Sequence, residues 1–241
     1  MSLPNDQKAP LSVIIPTRNA QESLPGALTA LADGALPGLI REVIVADGGS
    51  GDATQSLAAG FGARVLLAVP GRGQQLAAAA SEATGSWLLF LHADTCLAGS
   101  WGEAASAFIA AAKSEDGGPE IEQAAVFRFA LDDTDPRARR IEGLARWRGR
   151  VLALPYGDQG LLIPRAFYHR LGGYRPISLM EDVDLVRRIG WRCLTTLDVD
   201  AVTSARRYRA DGWYLRPLRN LSLLALYYLG LPTSILTRLY G

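Results

Sequence analysis

Short apolar runs alternate with amphipathic stretches through the first hundred residues of this 241-residue chain. Leu11–Ile15 is apolar and is stopped by Pro16. Glu42–Ala46, Arg64–Val69 and Ser86–Leu91 repeat that pattern, and their length and composition predict buried strands. Glu22–Ala32, Ala53–Ala59 and Gln74–Ala83 fall between them and predict helices, the last by its five alanines. Strand and helix in alternation predict βαβ units around a parallel sheet, hence an α/β fold.

A polar stretch at 113–122 interrupts this rhythm. Beyond it the pattern predicts a strand at Ala125–Leu131, a basic helix at Pro136–Leu152 and a short extended segment at Gly160–Ile163. Helices follow at Arg165–Leu171 and Glu181–Ile189, then strands at Leu194–Leu197 and Val202–Tyr208. Leu215–Leu229 closes the series as a helix with apolar residues at 215, 218, 221, 224, 225, 228 and 229, which make one broad apolar face.

Each early strand ends in polar residues. The first runs into Pro16-Thr17-Arg18-Asn19, and the second into Asp47-Gly48-Gly49-Ser50-Gly51-Asp52. The third is followed by Gly71-Arg72-Gly73-Gln74-Gln75, and the fourth by His92-Ala93-Asp94-Thr95. In an open α/β sheet, ligands bind at the carboxyl ends of the strands, so these groups should converge on one crevice. A guanidinium suits phosphate through its fork geometry, and a carboxylate can share a divalent cation with phosphates. Asp47 also suits a simple turn cap. Leu76 stands where a dinucleotide fingerprint would need its third glycine, which argues against NAD. In the second half, Glu181, Asp182 and Asp184 open a helix. Acids there can serve the helix dipole or supply a catalytic base. Tyr156-Gly157-Asp158-Gln159-Gly160 is a further polar insert.

Net charge is +1, which gives no footprint for nucleic acid. The charge is uneven: residues 1–100 hold five basic and eight acidic side chains, and the remainder holds 20 and 16. Arginines cluster around 137–150 and 206–219. Cys96 and Cys193 offer neither a disulfide framework nor zinc spacing, and Met1–Pro10 has no apolar core of a secretory signal. Both point to a cytoplasmic setting. The longest nearly unbroken apolar run, Leu221–Leu231, is shorter than the ~20 residues a bilayer span needs. The amphipathic C-terminal helix instead suggests contact with the inner membrane face, or a homodimer.

Taken in order, Leu11–Asn19, Asp47–Thr54, Phe90–Thr95, Gly157–Gln159 and Met180–Leu185 resemble the motifs of family 2 glycosyltransferases over roughly residues 10–210. The His-Ala-Asp-Thr form is similar to that of a small bacterial subfamily. The resemblance implies the inverting, GT-A fold: a mainly parallel sheet flanked by helices, as a single domain. Residues 10–112 would bind the nucleotide sugar, 123–210 would form the acceptor half, and 211–241 would be a helical tail. It further implies that Pro16, Thr17, Asn19, Asp47, Arg72, Gln75 and Asp94 hold the nucleotide. Asp182, with Glu181, would be the catalytic base. Asp158, Gln159, Arg206 and Arg207 would attend the acceptor. The cofactor would be Mg²⁺ or Mn²⁺ on Asp94, with His92 standing where the family's metal motif has its first acid. The substrates would be a nucleoside-diphosphate sugar, UDP favoured, and an acceptor hydroxyl on a small molecule or lipid, in a single transfer. A nucleotidyltransferase would want glycine in the first loop, which Pro16–Asn19 lacks. A non-catalytic nucleotide-sugar binder would not need the acids at 181–182.

Overall fold

A computed structural model describes residues 9–112, 122–152, 157–177 and 179–240. Its strands are β1 (Leu11–Thr17), β2 (Ile40–Asp47), β3 (Arg64–Leu67), β4 (Trp87–Phe90), β5 (Thr95–Leu97), β6 (Ala124–Leu131), β7 (Leu161–Pro164) and β8 (Leu194–Thr203). Its α-helices are α1 (Leu24–Asp33), α2 (Thr54–Gly60), α3 (Arg72–Glu82), α4 (Trp101–Ala111), α5 (Pro136–Leu152), α6 (Arg165–Arg170), α7 (Glu181–Ile189), α8 (Arg206–Asp211), α9 (Leu215–Tyr228) and α10 (Thr233–Tyr240).

The strands form one sheet in the order β3-β2-β1-β4-β7-β6-β8-β5. The first four are parallel, β7 runs against both β4 and β6, and β6 and β8 are again parallel. The central strands read as unbroken apolar runs because both faces are covered. Along β1, Leu11, Val13 and Ile15 pack with α1 and α4, whereas Ile14 faces α3 on the other side. β4 divides likewise: Trp87 and Leu89 go one way, Leu88 and Phe90 the other. Helices α1, α2 and α4 lie on the first face, and α3, α6 and α7 on the second. A smaller core joins Phe129 and Leu131 of β6 to Ile141 and Ala145 of α5 and to Trp213.

The mainly parallel α/β sheet is as the sequence predicts, but several elements differ. Helix α4 and strand β5 answer to no expected element, and the expected helical tail is divided into α9 and α10. β8 is one strand where two were expected: it stays paired with β6 across an irregularity between Val126 and Arg128, and Asp198 and Asp200 then alternate with buried Val199 and Ala201. The expected strand at Val202–Tyr208 stops at Thr203, and Arg206 opens α8, which ends at Gly212 with φ 94°. Along α9, Leu223 and Leu224 are buried, while Leu215, Leu218, Leu221, Tyr228 and Leu229 of the expected stripe stay exposed. The expected boundary loop lies, except for Glu122, outside the described residues. No described helix is long and apolar enough to cross a membrane.

Candidate active site

Parallel pairing carries the ends of β1, β2 and β4 to the same edge of the sheet. At the first two, the polar side chains bind one another. Asp47 is fully buried and accepts five hydrogen bonds: from the Thr17 hydroxyl (3.1 Å), the Gly49 and Ser50 amides (3.1 and 2.9 Å), the Ser50 hydroxyl (2.5 Å) and the Gln55 amide (2.8 Å). Burial alone would raise its pKa, but the hydrogen bonds from Ser50, Gln55 and Thr17 outweigh that and hold it below the ordinary value. Asn19, at φ 52°, donates its amide to the Ser50 hydroxyl (2.8 Å) and accepts from the Gly51 amide (2.9 Å). The Gln75 side chain donates to the Thr17 and Ala46 carbonyls, both at 2.7 Å, and so bridges the two strand ends. Gly48 packs tightly against it: a Cβ there would stand 3.0 Å from the Gln75 amide nitrogen. Thr17, Asp47 and Gln75 thus lie at the expected crevice, with their side chains engaged in shaping it. Ser50 and Gln55, which complete this arrangement, were not singled out from the sequence. Ser50 stands inside the quoted motif and was the legible one.

The second cluster gathers where α3 meets α7. Gly73 lets this happen: a Cβ would lie 2.3 Å from the Arg175 carbonyl and 2.8 Å from that of Ile177. The glycine therefore serves close approach to the segment that leads into α7. Arg72, beside it, donates to buried Glu181 at 3.2 Å. Burial and neighbouring Asp182 raise the Glu181 pKa, and Arg72 opposes them. Successive residues on a helix point about 100° apart, so the acids of α7 face different partners. Asp184 turns inward to Arg175 (3.0 Å) and Arg188. Asp182 accepts the Gly157 amide at 2.7 Å and its neighbour Val183 at 2.8 Å, and reaches a cavity.

That cavity, of about 510 Å³, is shared by Arg72, His92, Asp94, Asp158, Glu181 and Asp182. His92 and Asp94 sit on the turn between β4 and β5, with Nδ1 and the carboxylate 3.9 Å apart. The His92 ring presses so close to Gly157 that a Cβ there would fall 2.6 Å from Nε2. Asp158 has one buried carboxylate oxygen with no hydrogen-bond partner. Burial pushes its pKa up to about 6, against the pull of Arg148 and Arg72 and with the push of Asp182 and Asp94. Among the described residues, no three His, Cys, Asp or Glu side chains are grouped to hold a metal ion by themselves.

Two expected residues point elsewhere. Gln159 is buried and donates to the Phe127 carbonyl at 3.0 Å, away from the cavity. Arg206 is on the surface and pairs with Glu22. The side chain of Arg207 lies outside the described residues. Arg148, Thr203 and Tyr208 also line the cavity and were not proposed as site residues from the sequence.

Residues 12–118 match the model of the family described as Glycosyl transferase family 2. No curated protein matches the chain in sequence. Among solved structures, glucosyl-3-phosphoglycerate synthase from Mycobacterium tuberculosis, in complex with Mn²⁺, UDP and glucosyl-3-phosphoglycerate, superposes with a TM-score of 0.54 at 18% identity. The match covers 79% of this chain and 70% of that one. The 1–349 segment of S. aureus TarS in complex with UDP superposes with a TM-score of 0.60 at 17% identity, over 83% of this chain and 62% of that one. The chain is thus shorter than TarS 1–349 and spans under two thirds of it. At these identities the likeness establishes the fold.

Proposed function

For a chain whose residues 12–118 match the model of Glycosyl transferase family 2, we propose an inverting transferase that moves one sugar from a nucleoside diphosphate, UDP favoured, to an acceptor hydroxyl. The observation that carries this reading is the Asp182 carboxylate, which reaches a cavity shared with Arg72, His92 and Asp94. It stands in the first turn of α7, where the helix dipole favours negative charge. Asp182 takes the proton of the acceptor hydroxyl. The freed oxygen attacks the anomeric carbon on the side opposite the departing diphosphate, which inverts the configuration. Arg72 exchanges part of its contact with Glu181 for the diphosphate and stabilises the charge that develops there. UDP in the two neighbouring structures supports a uridine donor.

Asp94 and His92 fit a divalent cation held partly by substrate. Mg²⁺ at such sites takes one or two protein ligands and fills its shell with phosphate oxygens and water. Two adjacent donors facing the cavity match that demand, and Mn²⁺ in the synthase complex is in keeping with it. When bound, the ion would neutralise charge on the leaving diphosphate. Asp47, Thr17, Asn19 and Gln75 shape the nucleotide crevice. Asp158 faces the acceptor.

Thermal shifts with UDP, GDP, dTDP and CDP, each with and without Mn²⁺, test the reading on wild type and Asp94→Ala. The expected result is stabilisation by UDP that needs the metal and is lost in the variant. No shift with any nucleotide would overturn the donor assignment.

A further inference from the structure

The cavity is lined by two chemically distinct sets of side chains. One is Asp182, Asp94, Asp158, His92 and Arg72. The other is mostly apolar: Ile141, Leu144 and Trp147 of α5, Phe129 of β6, and Leu221 and Leu223 of α9, with Arg148, Asn220 and Thr237 of α5, α9 and α10 beside them. Three of these, Leu144, Trp147 and Leu221, are more than half exposed although large and apolar. Leu215 and Leu218 of α9, Leu229 just after it, and Ile235 and Leu239 of α10 are exposed as well. Scattered exposed leucines need no explanation, but a cavity lined mainly by apolar side chains that also holds carboxylates does. The many hydroxyls of a polyol acceptor would lose water against that hydrocarbon with few replacement hydrogen bonds. A pocket that is apolar over most of its lining, with a few polar groups, fits a ligand built the same way.

We propose that the acceptor is an amphiphilic alcohol, with its hydroxyl at Asp182 and its hydrocarbon body between α5 and α9. This rests on the transferase reading and adds the acceptor's class to it. Helices α5, α9 and α10 together carry nine arginines and a single acid, Glu142, which is buried and bound to Arg139. An acceptor drawn from an anionic bilayer and one taken up from solution share this chemistry.

Trp147 reports occupancy directly. Bromine on an alkyl chain quenches a nearby indole, so 11-bromo-1-undecanol is the probe. It is offered to the full chain either dissolved below its solubility limit or carried in vesicles of anionic phospholipid. Quenching that is lost in Trp147→Phe is expected. Quenching from solution identifies a free amphiphile, and quenching only from vesicles identifies a bilayer-borne one. Competition by 1-butanol, 1-hexanol and 1-octanol should strengthen about fourfold with each methylene until the apolar lining is covered. Leu221→Glu should abolish quenching while the thermal shift with UDP persists. No quenching from either source, or equal competition by glycerol and octanol, would overturn the proposal. So would a dimer in sedimentation that keeps the bromo-alcohol out, since a second copy would then cover the face. The UDP shift stands apart from all these readouts, so loss of the donor reading and loss of the acceptor reading are separate results.

Discussion

Two groups of polar side chains meet at the carboxyl edge of the sheet, and they are built on opposite terms. Around Asp47, every carboxylate lone pair is taken: Thr17, Gly49, Ser50 and Gln55 all donate to it. Around Asp182, acids crowd one another, and Asp158 leaves a buried oxygen without a partner. The first group stabilises the chain that makes it. The second holds like charges together in a partly closed cavity, which costs stability and is a mark of sites that act on something else. Aspartates of similar appearance in the sequence therefore serve opposite ends, and substitutions should separate them.

The largest contrast is expected at Asp182. Asp182→Asn keeps an acceptor for the Gly157 amide but cannot take a proton. Turnover should fall about 10²–10⁴-fold, or roughly 3–5 kcal/mol in the barrier, with UDP affinity within twofold of wild type. Single-turnover assays beside UDP titration separate the two quantities. A variant within severalfold of wild type would remove Asp182 as the base.

Asp47→Ala should do the reverse. It strands buried donors, so a loss of about 3–4 kcal/mol in unfolding free energy is expected by urea denaturation. If stability is unchanged, the carboxylate is not the support its hydrogen bonds suggest.

Asp158 sharpens the comparison through pH. Its carboxyl is held at about 6, above the ordinary 3.8. An unfolded chain gives up that proton first. The group thus favours the folded state fully below pH 3.8, and that advantage fades as pH rises through 6. Above that, the folded protein carries a penalty of roughly 3 kcal/mol. Asp158→Asn removes the penalty. It should be more stable than wild type by about 2–3 kcal/mol at pH 7, with the difference vanishing toward pH 4, in denaturation run with a metal chelator. A constant difference across that range would contradict the assignment.

The smallest effect belongs to Gln75→Leu. It gives up two hydrogen bonds between strand ends but keeps most of the side chain's volume. A loss of about 1–2 kcal/mol is expected, together with weaker UDP binding as β1 and β2 part. Unaltered UDP affinity would show that the bridge does not shape the crevice.

The same contrast explains what the sequence discloses. The strands of the first half were legible because burial on both faces leaves continuous apolar runs, and parallel order then forces Thr17, Asp47 and Asp94 to one edge. What each carboxylate does there was not legible. The partners of Asp47 come from Gln55 of the next helix and from a loop whose backbone amides leave no trace in residue type. Nor does spacing reveal that Asp158 lacks a partner, since that is a property of what surrounds it. Three residues are too few for periodicity to reveal β5. The arginines at 206–209 look extended beside Val202, yet Gly212 closes a helical turn there. Helix α4, Trp101–Ala111, is legible in its alanines. The apolar spacing of α9 is plain in the sequence, but an apolar pattern does not say whether the protein itself covers it.

The contact at Gly73 bears on how such a protein can be rebuilt. Helix α3 and the segment around Arg175 and Ile177 meet with no room for a methyl group. They come from opposite halves of the chain, more than a hundred residues apart. Acceptor halves exchanged between relatives in a recombination library would meet that constraint at once. A graft should succeed only when the incoming 175–177 backbone follows the same path over Gly73. The two halves are better regarded as a matched pair than as interchangeable modules.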